Sequence, residues 1–212
     1  MRLKHGKLFW EECMEIEILK WVDSTFHSQG WLNYIMKFIT YIGEFGAAPI
    51  ACALVLLIFK KTRKGGFACA VALIFNFILV NALLKNVVNR PRPWTEFEEI
   101  ALFYEQFGVR LPTDSSFPSG HSSACFSVAV ACVFAFKWKG IPALVIAFLV
   151  ALSRIYLCVH YPTDVLAGAL IGSACGVAGY FTATAIIKRF FIKKTEDNCT
   201  EQVEEENAEK TE

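Results

Sequence analysis

Two short polar runs interrupt an apolar stretch between Ser115 and Asp164: Phe117-Pro118-Ser119-Gly120-His121, and Ser153-Arg154 followed by His160 and Asp164. A third island, Lys85 to Pro93, precedes them. Each sits where a hydrophobic segment ends, so the three can meet at one face of a membrane. Ionisable side chains kept beside hydrocarbon are costly, which makes such a cluster a functional site by default. Arg90-Pro91-Arg92-Pro93 is excluded from helix interior because each proline pushes its predecessor toward extended backbone. Arg92 is therefore carried on a stiff strut. Ser119 is a natural N-cap for the apolar run that follows it, and Gly120 lets backbone approach a ligand closely. Free amides and the positive end of the helix dipole then favour an anion. Pro162-Thr163-Asp164 opens the last apolar segment similarly, and Asp164 alone is equally readable as a helix-start acid.

Phosphate is the anion that suits this set. Lys85, Arg92 and Arg154 supply three cations, and the planar forks of arginine match phosphoryl oxygens bidentately while lysine adds a point charge. Two histidines supply a nucleophile and an acid. A histidine that attacks phosphorus must be neutral at the attacking nitrogen and is helped by a carboxylate on the other one. His160 has such a candidate in Asp164, four residues later. His121, at a helix start with no carboxylate close in sequence, is better placed as the acid for the leaving oxygen.

The elements that must hold these groups are membrane helices. The chain has 212 residues, 55% of them hydrophobic, with mean hydropathy +0.41, too apolar for an ordinary soluble fold. The expected fold is all-α, a polytopic bundle with five clear spans at about 45–59, 66–88, 120–136, 141–159 and 163–187. The first is short for a hydrocarbon core of about 30 Å at about 1.5 Å per residue. Residues 1–44 form an N-terminal amphipathic, interfacial segment, residues 45–190 the membrane domain, and residues 191–212 an acidic cytoplasmic tail expected to be disordered. Residues 195–212 carry a net charge of −7, which leaves +8 on the rest. Gly168, Gly172 and Gly176, four residues apart, make a face for close helix packing. Asn76 and Asn81 are read as hydrogen-bond partners between helices. Cys52, Cys69, Cys125, Cys132, Cys158 and Cys175 lie in apolar runs without metal-ligand spacing and read as small buried hydrophobes. The first 20 residues are too charged for a cleavable signal peptide.

Lysine clusters at 60–64, 137–139 and 188–194 fall on alternate boundaries, so the positive-inside rule puts them in the cytoplasm and the polar islands outside. Lys85, Arg90, Arg92, Arg110 and Arg154 then lie on the disfavoured side, where they require an anionic partner. Five spans place the N-terminus outside, against the preference of Arg2, Lys4 and Lys7; a sixth crossing within residues 8–44 would reverse that.

Lys85-x6-Arg92-Pro93, then Pro118-Ser119-Gly120-His121, then Ser153-Arg154-x5-His160-x3-Asp164 resembles the type 2 phosphatidic acid phosphatase superfamily, which includes lipid phosphate phosphatases and vanadium haloperoxidases. Pro-Ser-Gly-His alone is a weak signal, but three motifs intact and in order are specific. The resemblance implies that Lys85, Arg92, Ser119, Gly120 and Arg154 hold the phosphate. It makes His160 the nucleophile that becomes a phosphohistidine, Asp164 its partner and His121 the general acid, with no cofactor or metal. It also implies metal-independent hydrolysis, at the outer membrane face, of undecaprenyl pyrophosphate, phosphatidylglycerol phosphate or phosphatidate. The expected partners are thus a phospholipid or polyprenyl phosphate and the membrane, and no nucleic acid. A haloperoxidase with vanadate in the phosphate site and a non-catalytic lipid carrier are the competing classes; the first departs in being larger and soluble, the second has no use for two histidines and an aspartate. Arg90 is an extra cation beside the first motif, expected to touch a second phosphate or lipid headgroups.

Overall fold

The computed structural model describes residues 6–26, 29–95 and 112–209, and every regular element among them is helical. In chain order these are α1 (Gly6–Phe26), α2 (Gly30–Ile42), α3 (Ala47–Ile58), α4 (Arg63–Asn76), α5 (Lys85–Val88), α6 (Gly120–Phe136), α7 (Ile141–Tyr156) and α8 (Pro162–Glu209). A π-helical stretch, Phe77–Leu84, joins α4 to α5. Arg2, Lys4 and residues 96–111, which include Arg110 and most of the region expected to select a headgroup, lie outside the described residues.

Among the described residues three stretches are long and apolar enough to cross a membrane: Arg63–Thr95, Gly120–Tyr156 and Pro162–Phe190. The pair α2 and α3, bent by 50° at a short break, makes a fourth if taken as one span. Gly46, in the left-handed region at φ 72°, gives the break its shape. The Gly120–Tyr156 stretch is a hairpin. Cys125 and Ala129 of α6 pack with Ala147 and Val150 of α7, and the reversal falls at Lys137–Gly140, where Lys137 takes φ 55°.

Small residues set how the bundle closes. A methyl group on Gly168, Gly172 or Gly176 would fall 2.6, 2.2 and 2.6 Å from the carbonyl oxygens of Ser119, Ser123 and Ser127. Helices α6 and α8 therefore run side by side in the same direction with their backbones almost touching. On the far half of α8, Gly179 rests on Ala72 and Ala183 joins Ala68 and Val71, so α4 runs against α8. Gly65 lies against the Phe136 ring, which brings the turns after α3 and after α6 to one end of the bundle. Those turns hold the lysine clusters. The polar islands gather at the other end.

At that end α1 packs Leu19 and Val22 against Tyr156, Leu157, Cys158, Val159 and Tyr161. The N-terminal segment is thus fastened to the loop that carries His160. At the other terminus the backbone of α8 stays helical to Glu209, within the segment that composition reads as an acidic tail. Glu, Lys and Gln are good helix formers, and the buried half of α8 supplies the nucleus from which they extend.

Gly172→Ala should lower the unfolding temperature in detergent and cut activity, since overpacking costs about 1 to 3 kcal/mol and separates the helices that carry the two histidine motifs. Gly30→Ala, a position with open space around it, is the matched control. A thermal melt of both variants checks this.

Candidate active site

Arg92 is the most enclosed of the cations. Its Nη1 donates to the Val159 carbonyl at 3.0 Å and lies 3.3 Å from His160 Nε2, and its Nε donates to the Asp114 carbonyl at 2.8 Å. The fork is completed by Nη2 on Asp114 Oδ1 at 2.6 Å. The second carboxylate oxygen of Asp114 accepts from Lys85 Nζ. An aspartate thus bridges the two cations that the sequence assigns to phosphate. Burial pushes its pKa up, but Lys85 and Arg92 outweigh that and hold it at about 2. Asp114 is consequently an anion wherever the protein is folded and active. Arg154, buried at the end of α7, donates to Thr40 Oγ1, which ties the third cation to α2.

His160 is 1% exposed, and Nδ1 lies 2.8 Å from the Ser116 carbonyl. That contact requires the proton on Nδ1 and leaves a lone pair on Nε2, which faces Arg92 Nη1 as an acceptor. Asp164 lies beside the ring, as the four-residue spacing suggests, at ion-pair rather than hydrogen-bond distance. Its Oδ2 stands 3.8 Å from Nδ1 and instead accepts from Ser116 Oγ and, at 3.0 Å, from the Tyr161 amide. The reason is steric: Ser116, on the strut entering α6, occupies the space between carboxylate and ring. Burial pushes His160 down to about 3, with the nearby Asp164 opposing and Arg92 and Arg154 adding to it. The ring is therefore neutral at physiological pH, as a nucleophile must be.

Arg90 also departs from expectation. Its Nη1 donates to Asp164 Oδ1 at 2.6 Å and to Thr163 Oγ1 at 2.9 Å, and Nη2 pairs with Glu15. The guanidinium lies 4.0 Å from the centre of the Tyr161 ring. It does not line the cavity, and both of its terminal nitrogens are engaged elsewhere, so it is not a contact for a second phosphate. Within Arg90-Pro91-Arg92-Pro93 the cation that lines the cavity is Arg92.

Lys85, Arg92, Gly120, His121, Arg154 and His160 line one cavity of about 750 Å³. The cavity continues between α3 and α4 past Ile50, Leu73, Ile74 and Phe77. Ile50, Ile74 and Phe77 are 46, 56 and 63% exposed, so this arm opens sideways on the apolar surface. Asn76 and Asn81 line it too, and Asn76 Oδ1 is buried without a hydrogen-bond partner. Ser119 caps α6, its Oγ accepting from the Ser122 amide and hydroxyl at 3.4 and 3.0 Å. Its amide donates to the Asp164 carbonyl at 3.0 Å, a direct link between the second and third motifs. Ser119 is fully buried and offers the cavity the helix end rather than its hydroxyl. Asp114, Ser116 and Glu15 are the site residues that sequence reasoning missed. Asp114 and Ser116 at least precede the Pro-Ser-Gly-His motif closely; Glu15 has no local signal.

Residues 65–188 match the PAP2 superfamily. Undecaprenyl-diphosphatase of Sulfolobus acidocaldarius is 33% identical over 160 residues, 74% of this chain and 73% of that protein. The crystal structure of Aquifex aeolicus LpxE aligns with a TM-score of 0.64 at 28% identity, over 77% of this chain and 92% of the other. The first transmembrane PAP2-type phosphatidylglycerolphosphate phosphatase from Bacillus subtilis aligns at 0.61 and 27% identity, over 84 and 86%. This chain belongs to the PAP2 superfamily. It is an integral membrane hydrolase of the lipid phosphatase type.

The Asp114 bridge predicts competition. Asp114→Asn should tighten inhibition by inorganic phosphate about three- to tenfold at pH 7, because a substrate or product oxyanion must replace a half-exposed carboxylate on Lys85 and Arg92 and each such pair contributes about 0.2 to 1 kcal/mol. Weaker phosphate inhibition in the variant would show instead that Asp114 holds the cations in place.

Proposed function

We propose that this protein hydrolyses a polyprenyl or glycerolipid phosphate or diphosphate at the outer face of the plasma membrane, through a phosphohistidine on His160. The substrate class comprises undecaprenyl diphosphate, phosphatidylglycerol phosphate and phosphatidate, the first favoured by the Sulfolobus relative. The observation that carries the reading is the single cavity with cations and both histidines at one end and an apolar arm opening laterally at the other. A lipid phosphate fits it with the headgroup among Lys85, Arg92 and Arg154 and the chain leaving between α3 and α4. A haloperoxidase has no need of that arm.

In this mechanism the phosphoryl group replaces Asp114 on Lys85 and Arg92, and the amides at the start of α6 add donors at the positive end of the helix. Nε2 of His160 attacks phosphorus in line while the bond to the leaving oxygen breaks. Ser116 holds the Nδ1 proton, and the carboxylate of Asp164 behind it offsets the positive charge that the ring acquires. His121 gives its proton to the leaving oxygen. A water then attacks the phosphohistidine, His121 takes a proton from that water, and His160 is released neutral. Charge spread over the equatorial oxygens is met by the fixed cations, which need no reorganisation as the reaction proceeds.

The topology we propose has five crossings: α3, which α2 meets at a 50° bend, α4 with its π-helical extension, α6, α7 and α8. Residues 45–190 then form the catalytic membrane domain, residues 1–44 an outer interfacial segment, and 191–212 a cytoplasmic tail. The separation of the lysine turns from the site, at opposite ends of the bundle, supports this orientation.

Turnover of purified protein on a panel of lipid phosphates in detergent, with labelled substrate quenched during turnover, tests the reading. Acid-labile, base-stable label should appear on the wild-type chain, and His160→Ala should lose both the label and activity by on the order of a thousandfold or more. Label retained in that variant would remove His160 as nucleophile. Thr113→Cys and Trp138→Cys, in a background lacking reactive native thiols, should react oppositely with an impermeant reagent on intact cells; outside labelling of position 138 would invert the topology.

A further inference from the structure

Glu15 is a buried carboxylate in the middle of α1, far in sequence from every motif. It accepts from the Thr163 amide at 3.0 Å and from the Thr163 hydroxyl, and it pairs with Nη2 of Arg90. Through Nη1 the same guanidinium reaches Asp164 Oδ1. Asp164 divides its oxygens, Oδ1 to Arg90 and Oδ2 to Ser116 and Tyr161. A continuous line of charged contacts therefore runs from α1 to the carboxylate behind His160.

We propose that Glu15 and Arg90 are positioning residues of the catalytic machinery. Together they fix the orientation of Asp164 and set the charge that His160 feels from behind. This rests on His160 being the nucleophile. Arg90 alone would hold Asp164 still but neutralise it, removing the negative charge that favours the cationic phosphohistidine. Glu15 restores that charge: Asp164, Arg90 and Glu15 together carry one net negative charge, and Asp164 and Arg90 without Glu15 carry none. The arrangement also explains why Arg90 does not line the cavity and why α1 is fastened to the loop before α8. The fork geometry matters, since one guanidinium must meet two carboxylates on opposite sides, and lysine has no such fork.

The test is steady-state kinetics and phosphoenzyme trapping on the full-length protein with a lipid monophosphate. Glu15→Gln keeps an acceptor for Thr163 and removes only the charge. It should lower kcat and the rate of phosphohistidine formation by about tenfold, the scale on which groups behind a reacting side chain act. KM and inhibition by inorganic phosphate should stay within about twofold, because Lys85, Arg92 and Arg154 are untouched. Arg90→Gln should lower kcat at least as much, and Glu15→Gln added to it should have little further effect if Glu15 acts through Arg90. Full kcat in Glu15→Gln, or losses that multiply in the double variant, would overturn the proposal. So would a loss of phosphate inhibition equal to the loss of kcat. His160→Ala in the same assay separates the two ideas: activity surviving there defeats the phosphohistidine reading, whereas an inactive His160→Ala beside a fully active Glu15→Gln defeats this one alone.

Discussion

Mutual repulsion among cations at the edge of a bilayer is the constraint on which the rest of this structure depends. Lys85, Arg92 and Arg154 face one cavity, and the absence of bulk water around them makes their repulsion stronger than at a protein surface. The fold offsets it with acids that differ in permanence. Asp114 is half exposed and bridges Lys85 and Arg92, so it can yield to a phosphate. Glu15 and Asp164 are buried on either side of Arg90 and are paired with it. One acid is exchangeable and two are fixed. That division follows from placement: Asp114 stands on the cavity side of Arg92, and the other two stand behind His160.

Close packing delivers the groups to this arrangement. The glycine face of α8 lets it lie against the serines of α6, and at the site end this contact becomes the hydrogen bond from the Ser119 amide to the Asp164 carbonyl. Two motifs some forty residues apart in sequence are thereby joined backbone to backbone. The first motif arrives by a different route. Asn89 ends α5 in the left-handed region at φ 43°, a conformation that asparagine tolerates. The prolines that follow carry Arg90 and Arg92 outward, and their side chains leave on opposite sides, one to Asp164 and the other to Asp114 and His160. Substituting one for the other is therefore not a question of charge.

The residues that line the cavity were legible because each lies in a short run whose backbone role is local: a proline strut, a capped helix start, a helix end. The helical segments were legible for the same reason, as apolar length between breaks. The partners were not. Ser116 comes between His160 and Asp164 only because the strut before α6 passes there, and a four-residue spacing on paper could not show an intruder from another segment. Arg90 looked like a headgroup contact because its neighbour Arg92 is one, whereas its direction is fixed by Glu15, seventy-five residues earlier. Composition reports what a segment can bury and says little about a helix that begins in a packed span and continues past it, as α8 does to Glu209.

The lateral arm of the cavity joins the electrostatics to the membrane. A phosphate arriving from water alone would be drawn to the same cations, so the site by itself does not distinguish free phosphate from a phospholipid. The distinction comes from Ile50, Ile74 and Phe77, apolar side chains exposed where the α2–α3 bend leaves α4 uncovered. The π-helical stretch begins at Phe77, and its wider turns alter the rotation between the apolar arm and Lys85 in a way a regular helix would not. Each buried methylene of an acyl or prenyl chain contributes about 0.8 kcal/mol in transfer from water. Most of that gain is already made when the chain lies in the bilayer, so the arm cannot select lipids by affinity for hydrocarbon. What it can do is admit the chain without lifting it out of the membrane, with the headgroup already at the depth of Lys85 and Arg92. Selection between lipids then falls to polar contacts near that boundary, where Asn76 has an unpaired buried oxygen in the cavity wall.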